Sequence, residues 1–341
     1  MSDQVMHDIL AILADGKNLH YDIAVRGFQI IMNGGATPAQ IAAFLMALRM
    51  KGETIEEITA GAAAMRVKAQ PVHFATDAMD TCGTGGDARG TYNISTTVAI
   101  VLAACGVKVV KHGNRSVSSR SGSADVLSVL GVKVDAEIPV LERCYAQCGL
   151  CFLMSPKFHT AMRHVAPIRQ ELGIRTIFNV LGPLLNPAAP THQLMGVYSE
   201  ALVEPIAHVL KQLNTKAAWV VHGHDGVDEL SLSGASKVAE LKDGEVNCFI
   251  ITPEDAGMER MSLDAIKGGT PQENANAMLQ LLSGVESAYR NAVVYNAAAG
   301  LIVAGKVPDL KAGVQMAREG IDSGKAYGVL KKLVELSNEH P

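Results

Sequence analysis

Residues 98–119 read VAIVLAACGVKVVKHGNRSVSS and show the pattern from which the fold class is predicted. An apolar helix that starts near Thr97 is followed by a short β-branched strand at residues 107–110 and then by a polar loop. Gly-rich turns, short strands and Ala/Leu-rich helical stretches alternate in the same way from Pro71 onward. Further strands are predicted at residues 217–221 and 246–251. This alternation indicates an α/β fold in which helices flank a mostly parallel central sheet.

The first 70 residues are predicted to form only helices. Capping boxes begin two of them, Thr37 with Gln40 and Thr54 with Glu57, and Gly52 is expected to end the helix that Thr37 begins. Apolar residues share one face in the first helix and in the helix after Thr37; they are Met6, Ile9, Leu10, Leu13, Ile41, Phe44, Leu45 and Leu48. A few short helices cannot bury this surface alone, so they must pack on the rest of the chain or on a second copy. From residue 270 the chain is predicted to be mostly helical again.

The composition is that of a globular chain without a nucleic-acid or membrane partner. Of 341 residues, 48% are hydrophobic, and 30 basic against 34 acidic residues give a formal net charge of −4. Proteins that bind nucleic acid or anionic membranes usually carry a basic surplus, so we expect neither partner. The longest apolar run, residues 98–107, is too short to cross a bilayer, and no signal peptide is visible. The six cysteines, including the CxxC of Cys148 and Cys151, are expected to be free thiols of a cytoplasmic protein.

A Gly-rich turn is the first cluster of candidate site residues. Residues 83–87 read GTGGD, and residues 93–96 read NIST, directly before the apolar helix. Glycines let the backbone approach a ligand closely, and a helix N-terminus presents N–H groups together with the hydroxyls of Ser95 and Thr96. The spacing matches neither a dinucleotide fingerprint nor a P-loop. A purely structural turn is the alternative, but the combination favours phosphate binding.

Three more clusters carry polar side chains. Residues 111–119 read KHGNRSVSS, with Ser123 four residues on, and follow a predicted strand at the end where open α/β sheets place ligands. The pair Asp228-Glu229 also follows a predicted strand and suits Mg²⁺, with plain surface charge as the alternative. His222 and His224 could suggest zinc, but the neighbouring ligands are hard oxygens. Arg169 lies in a predicted helix, where an arginine is usually a surface or ion-pair residue.

Five motifs in this order resemble the anthranilate phosphoribosyltransferase family over essentially the whole chain. They are GTGGD at 83–87, NIST at 93–96, KHGNRSVSS at 111–119, RQELGIRTIFNVLGPLLNP at 169–187 and the pair Asp228-Glu229. The resemblance implies a nucleoside-phosphorylase-like fold with a helical domain, residues 1–70, and an α/β catalytic domain, residues 71–341. It also implies a homodimer that associates through the helical domain, which helices around residues 160–180 would complete.

The resemblance further implies an enzyme of tryptophan biosynthesis that transfers the phosphoribosyl group of phosphoribosyl pyrophosphate (PRPP) to the amine of anthranilate. Mg²⁺, two ions per subunit, is expected on Ser95, Asp228 and Glu229. Lys111 and Arg169 are expected to be catalytic. PRPP is expected at Gly83, Gly86, Asp87, Thr91, Asn93, Ile94, Ser95, Thr96, Lys111, His112, Gly113, Asn114, Arg115, Ser116, Val117, Ser118, Ser119 and Ser123. Anthranilate is expected at Gly83, His112, Asn114, Pro156 and Arg169.

In the implied reaction the amine attacks the anomeric carbon through an oxocarbenium-like transition state and expels pyrophosphate. Mg²⁺ and Lys111 would neutralise the leaving group, and Arg169 would pair with the anthranilate carboxylate. An aromatic amine is already unprotonated at neutral pH, so no base role is assigned to His112. One alternative is a pyrimidine nucleoside phosphorylase, which shares the fold. Another is a nucleic-acid-binding relative without transferase activity, which should be basic and lack the anthranilate-site residues.

Overall fold

The structure, a computed structural model, describes residues 2–75, 77–116 and 120–340. The helices are α1 Ser2–Ala14, α2 Tyr21–Met32, α3 Pro38–Lys51, α4 Ile55–Lys68, α5 Ile94–Ala104, α6 Ser123–Val129, α7 Ile138–Cys148, α8 Ser155–Phe158, α9 Ala166–Leu172, α10 Ile177–Leu181, α11 Val203–Gln212, α12 Pro271–Leu282, α13 Ala288–Val303, α14 Leu310–Asp322 and α15 Lys325–Ser337. The strands are β1 Met79–Gly83, β2 Val109–Gly113, β3 Leu150–Met154, β4 His192–Gly196, β5 Ala217–Gly223, β6 Ser236–Lys242 and β7 Glu245–Ile251. Short 3₁₀ turns lie at Thr160–His164, Gly182–Leu184, Glu200–Leu202, Pro253–Ala256 and Leu263–Ile266.

Both predicted capping boxes begin N-terminal helices. The side chain of Thr37 accepts a hydrogen bond from the backbone N–H of Gln40 at 3.2 Å, and Gln40 Oε1 accepts one from the N–H of Thr37 at 2.9 Å. Thr54 and Glu57 make the same pair of bonds at 3.2 and 2.8 Å. These bonds satisfy N–H groups that have no partner inside the helix. Gly52 ends α3 with a φ of 88°, as predicted.

The central sheet confirms the predicted fold class. Its strand order is β3-β2-β1-β4-β5-β6-β7, in which β1 to β5 are parallel and β6 and β7 are antiparallel. Two predicted strand ends are wrong, because β2 and β5 both continue into residues predicted as loop. The backbones of Lys111, His112 and Gly113 pair with β3, and those of His222 and Gly223 pair with β6. These ladder bonds use only main-chain groups, so polar side chains do not interrupt them.

The strand order reverses between β1 and β4, which opens a crevice at their carboxyl ends. β1 is followed outward by β2 and β3, whereas β4 is followed by β5 on the other side. Gly83 and Gly196 lie side by side at the ends of the two strands. A Cβ atom on Gly83 would collide with the carboxylate of Asp228, and one on Gly196 would collide with the Asp228 backbone. The two glycines therefore make room for Asp228 at the position where open α/β sheets bind ligands.

Apolar side chains form two cores, which lie on opposite faces of the sheet at β4 and β5, whereas the first core covers both faces at β2 and β3. The first contains α5, α13 and α15, and the second joins α1–α4 to α11 and to the opposite faces of β4 and β5. On β5, Trp219 and Val221 belong to the first core and Val220 to the second, as strand alternation requires. The apolar faces of α1 and α3 are therefore largely covered within this chain. No helix in the described ranges is long and apolar enough to span a membrane.

Candidate active site

Three carboxylates crowd the crevice beside β1 and β4. Asp228 Oδ2 accepts a hydrogen bond from the N–H of Gly85 at 2.8 Å, and Glu229 Oε1 accepts one from the N–H of Ser95 at 3.1 Å. Burial and the neighbouring charge of Asp87 raise the pKa of Asp228 to about 7. Burial and Asp228 raise the pKa of Glu229 well above its usual value, and Lys111 opposes that shift only in part. The protein around the crevice therefore does not favour the charged form of both carboxyls.

This donor set fits Mg²⁺. Among the residues that the structure describes, no three His, Cys, Asp or Glu side chains are arranged to enclose a metal ion. Mg²⁺ usually keeps its waters and is bound by one or two carboxylates together with substrate phosphates, so it needs no such cage. The two histidines nearby are arranged differently, since His222 Nδ1 donates to the carbonyl of Val197 at 2.7 Å and His224 is exposed. The zinc alternative therefore has no support from their geometry.

The Gly-rich turn after β1 is held from both sides. Gly85 and Gly86 have φ angles of 62° and 70°, in the region that favours glycine. Gly85 donates to Asp228, while the carbonyl of Gly86 accepts from the guanidinium of Arg175. That guanidinium also lies 4.5 Å from the centre of the Tyr198 ring. Arg175 belongs to one of the sequence motifs, but it was not predicted to contact the phosphate loop.

Helix α5 begins at Ile94, three residues earlier than predicted, and its N-terminus points at the crevice. Ile94 and Thr96 are buried, and the N–H of Ile94 donates to the carbonyl of Tyr92 at 2.8 Å, so Ile94 offers a ligand neither its side chain nor a free N–H. Ser95 Oγ accepts a hydrogen bond from Lys111 Nζ at 3.3 Å. Thr91 lies just before the helix and forms an isolated bridge with Lys267.

Lys111 is a buried cation beside the crevice, and it lies within β2 instead of in a loop. Its side chain is only 3% exposed, and Nζ donates to the carbonyl of Thr81 at 2.5 Å as well as to Ser95. Burial lowers its pKa, and the nearby carboxylate of Asp80 opposes that shift. Asp80 accepts from the N–H of His112 at 3.2 Å and from Asn186 Nδ2 at 2.9 Å, and burial raises its pKa to about 6. This buried network beneath the site was not predicted.

The loop after β2 is folded around Asp125. Its carboxylate accepts from the N–H groups of Ser116 and Gly122 at 2.9 and 3.0 Å, and it pairs with the guanidinium of Arg115 at 3.1 Å. Ser123 Oγ donates to the carbonyl of Asn114 at 3.2 Å. A Cβ atom on Gly113 would collide with that hydroxyl and with the ring of Phe152. Val117, Ser118 and Ser119, all predicted to bind PRPP, lie outside the described residues.

Two buried histidines lie beside the crevice with unpartnered nitrogens. His112 and His159 have ring centres 5.2 Å apart, and the Nε2 atom of each is buried without a hydrogen-bond partner among the described residues. Gly182 and Leu185 each offer a backbone carbonyl that accepts from one imidazole. Burial is the main cause that lowers the pKa of His112, to about 3, and of His159. Each neutral ring therefore keeps one buried acceptor nitrogen without a partner among the described residues. His159 was not predicted, because a single histidine outside any motif gives no signal of its own.

Arg169 and Pro156 lie in short helices near these histidines in sequence. Pro156 is exposed in α8, which ends directly before His159. Arg169, in α9, is half-buried, and its guanidinium lies 5.5 Å from the centre of the Phe178 ring. Burial lowers its pKa, and no carboxylate in the described parts of the chain pairs with it. Its charge is therefore available to an anionic ligand.

Comparisons with known proteins cover nearly the whole chain. The glycosyl transferase family matches twice, through its helical bundle domain at residues 7–69 and its a/b domain at residues 75–327. A protein of Azospirillum brasilense, an anthranilate phosphoribosyltransferase, is 53% identical over 98% of this chain and 93% of its own length. The crystal structure of anthranilate phosphoribosyltransferase from Thermus thermophilus is similar with a TM-score of 0.92 and 42% identity, covering 97% of this chain and 99% of that one. The enzyme of Saccharomyces cerevisiae in complex with PRPP and Mg matches with a TM-score of 0.89 and 28% identity, covering 97% of both chains.

Proposed function

The chain belongs to the anthranilate phosphoribosyltransferase family, and from this premise we propose how its residues divide the reaction. It is an enzyme of tryptophan biosynthesis that transfers the 5-phosphoribosyl group of PRPP to the amine of anthranilate and releases pyrophosphate. Its identity of 53% over 98% of the chain to one such enzyme carries this assignment. The proposals below concern the residues, the number of metal ions and the assembly.

We propose that PRPP lies across the carboxyl ends of β1 and β2. The positive end of the α5 helix dipole and the close backbone approach at the Gly-rich turn suit its phosphate oxygens, while the N–H groups of Gly85 and Ser95 are bonded to the carboxylates that would hold the metal. Lys111 uses two of its three N–H groups on Thr81 and Ser95, which leaves one for the pyrophosphate. Asn114, Arg115 and Ser123 come from the loop that closes the other side. The ion pair of Arg115 with Asp125 and the hydrogen bond from Ser123 to the Asn114 carbonyl hold this loop in one arrangement before substrate binds.

We propose that Mg²⁺ enters with PRPP and is held by Ser95, Asp228 and Glu229, with two ions per subunit. The support is a pair of carboxyls with raised pKa values, whose charged form the protein alone does not favour and a bound cation would. When bound, the metal supplies positive charge to the leaving pyrophosphate. Asp87 adds its charge to the same cluster, so we include it among the residues that favour a cation here.

We propose that anthranilate lies against His112, His159, Asn114, Gly83 and Pro156, with its carboxylate on Arg169. The support is that neither Nε2 atom has another partner among the described residues; both are shielded in this structure, so the amine would reach them only after neighbouring side chains move. Arg169 can give a charge-assisted, two-pronged bond to the carboxylate. The amine is thereby turned toward the sugar, and proximity contributes much of the rate.

The transfer itself needs no covalent help from the protein. The amine nitrogen forms a bond to the anomeric carbon as the bond from that carbon to the pyrophosphate oxygen breaks. The electron pair leaves with pyrophosphate, and the nitrogen then gives one proton to the released pyrophosphate or to water. Lys111 and the α5 N-terminus stabilise the charge that grows on the leaving oxygens, while the buried imidazoles orient the amine without being charged.

We also propose a cytoplasmic homodimer formed through residues 1–70 and completed by helices around residues 160–180. The apolar faces of α1 and α3 no longer argue for it, because they are buried within the chain. The support is now the exposed apolar side chains of the helical region, Met50 at 80%, Val67 at 79% and Ile174 at 45% exposed. Free thiols at the described cysteines suit a reducing compartment. Sedimentation as a monomer at micromolar concentration would contradict the dimer.

Fluorescence of anthranilate tests the activity directly. We expect it to fall when enzyme, PRPP and Mg²⁺ are all present, and to stay constant when any one is left out. A control mixture of a pyrimidine nucleoside and phosphate should give no reaction. Phosphorolysis in that control, with unchanged anthranilate in the first mixture, would support the nucleoside phosphorylase alternative.

A further inference from the structure

A segment without any predicted site residue lies along the Gly-rich loop. Residues 266–274, which we call the strap, pair with residues 90–93 through the backbone. Tyr92 donates its N–H to the carbonyl of Ile266 at 3.0 Å, and Gly268 donates to the carbonyl of Gly90 at 2.8 Å. A Cβ atom on Gly268 would lie 2.8 Å from the carbonyl oxygen of Thr91. The strap therefore fits closely against the loop that leads into α5.

Asn93 is the residue at which the strap and both PRPP loops meet. Its Oδ1 accepts from Asn274 Nδ2 at 2.9 Å and from Ser121 Oγ at 3.3 Å. Its Nδ2 donates to the carbonyl of Ser121 at 3.1 Å. A carboxamide oxygen has two acceptor positions, and both are occupied here. The side chain of Asn93 thus connects the Gly-rich loop to the loop after β2, and its oxygen has no free position for a ligand.

The orientation of Asn274 leaves it one role. Its side chain is buried, at 1% exposed, and Oδ1 accepts from the N–H of Gly269 at 2.8 Å. Because the carbonyl oxygen is fixed by a backbone donor, the amide nitrogen must face Asn93. The N–H of Gly269 thus fixes the side chain of Asn274 within the strap, and the amide nitrogen of Asn274 in turn fixes the side chain of Asn93.

We propose that Asn274 is a positioning residue for PRPP: through Asn93 it sets the separation of the two loops that bind the sugar phosphate. This inference rests on the PRPP site proposed above. Asn274 itself contacts the loops and not the substrate. Its loss should therefore weaken PRPP binding and leave the anthranilate half of the site unchanged.

Asn274→Asp tests this with almost no change in shape. The aspartate keeps an oxygen for Gly269 but replaces the N–H donor with a second oxygen facing Asn93. If the Asn93 amide turns over to compensate, it places its own oxygen against the Ser121 carbonyl, so the two loops separate in either case. We expect the KM for PRPP to rise about tenfold, as for one lost buried hydrogen bond, with the KM for anthranilate within about twofold. The matched control is Asn276→Asp, an exposed position two residues further along α12.

Gly268→Ala provides a second route, because it pushes the strap away from Thr91 without replacing either of the two amides. The same split between the two KM values is expected. If Asn274→Asp shows no thermal unfolding transition and is therefore not folded, the KM values of Gly268→Ala test the inference in its place. Unchanged PRPP KM in folded Asn274→Asp or in Gly268→Ala, or equal changes in both KM values, would overturn the inference. Wild type that consumes no anthranilate would instead refute the proposed function.

Discussion

The two halves of the site shift the pKa values of their ionisable groups for the same reason and with opposite consequences. Around Asp228 and Glu229, burial raises the carboxyl pKa values, so the protein alone favours protonated carboxyls there. Around His112 and His159, burial lowers the imidazole pKa values, so the rings stay neutral. In the carboxylate half, the ionised form of Asp228 and Glu229 is favoured only when the substrate brings cations and phosphates. The histidine half already has the protonation state that a neutral amine needs.

The largest loss of turnover is expected when both carboxylates assigned to Mg²⁺ are replaced. Replacing Asp228 and Glu229 together, as Asp228→Asn with Glu229→Gln, should lower turnover roughly a hundredfold or more, because leaving-group charge develops in the transition state. The same change removes the repulsion between two half-buried carboxyl groups, so the ligand-free protein should be no less stable. Turnover as a function of Mg²⁺ concentration measures the first effect, and thermal unfolding measures the second. Normal turnover at ordinary Mg²⁺ concentration would show that the two residues are not metal ligands and would support the surface-charge alternative.

In the histidine half of the site, a substitution at Arg169 should weaken the binding of anthranilate more than it lowers turnover. Arg169→Ala removes a charge-assisted contact of about 1.5–3 kcal/mol, or roughly ten- to a hundredfold in affinity. We expect the KM for anthranilate to rise by that factor and the KM for PRPP to change little. Arg163→Ala, an exposed arginine six residues earlier, is the matched control. A variant that spares anthranilate but impairs PRPP would reverse the assignment of the two halves.

Gly83→Ala tests whether the first glycine serves the carboxylate. The added methyl group would collide with the Asp228 carboxylate, and such overpacking costs about 1–3 kcal/mol. We expect a loss of turnover of about tenfold with increased Mg²⁺ requirement, resembling a weak form of the Asp228 variant. Gly328→Ala in α15, where no atom lies within 4 Å of the new Cβ, should leave both unchanged. Loss of PRPP binding with normal Mg²⁺ dependence would show instead that Gly83 lets PRPP approach the main chain closely.

Sequence patterns predicted what is local in this molecule. The caps at Thr37 and Thr54 and the alternation after residue 71 depend on neighbours within a few positions, and these predictions were confirmed. The ends of β2 and β5 were wrong because their polar residues look like loop, although main-chain ladder bonds continue through them. Strands β1 and β4 are only five residues long and contain Asp80 or His192 and Gln193, so they show no β-branched run.

The candidate site divides in the same way. Its glycine, lysine and carboxylate motifs are visible in the sequence because they are dense in polar residues. His159, Arg175 and the Asp80–Asn186 network are single residues in otherwise ordinary segments, and only the fold brings them to the crevice. Asn274 lies 181 positions from its partner Asn93, which no local pattern can reveal. The site assignments themselves stay predictions until variants are measured.

The smallest effects concern stability and pH in the absence of ligands. The pKa of Asp228 rises from 3.8 to about 7 on folding, so between these pH values the folded state binds more protons and the free energy of unfolding falls as pH rises. The pKa of His112 falls from 6.5 to about 3, so between these values the unfolded state binds more protons and the free energy of unfolding rises with pH. Relative to wild type, the Tm of Asp228→Asn should therefore gain about 2–4 °C as pH rises through its window, and that of His112→Gln should gain as pH falls. Parallel curves for both variants would contradict these protonation states.

Proton release on binding tests the difference between the halves most directly. Calorimetric titration of Mg²⁺ and PRPP into the enzyme near pH 7, in buffers of different ionisation enthalpy, counts the protons released, after the same titration without enzyme is subtracted. The carboxylate half should release protons, because a cation binds only ionised Asp228 and Glu229, and Asp228→Asn should release fewer. Anthranilate, titrated into the enzyme without PRPP so that no turnover occurs, should release none as it binds to neutral imidazoles. Binding of Mg²⁺ and PRPP with the same heat in every buffer would contradict the account.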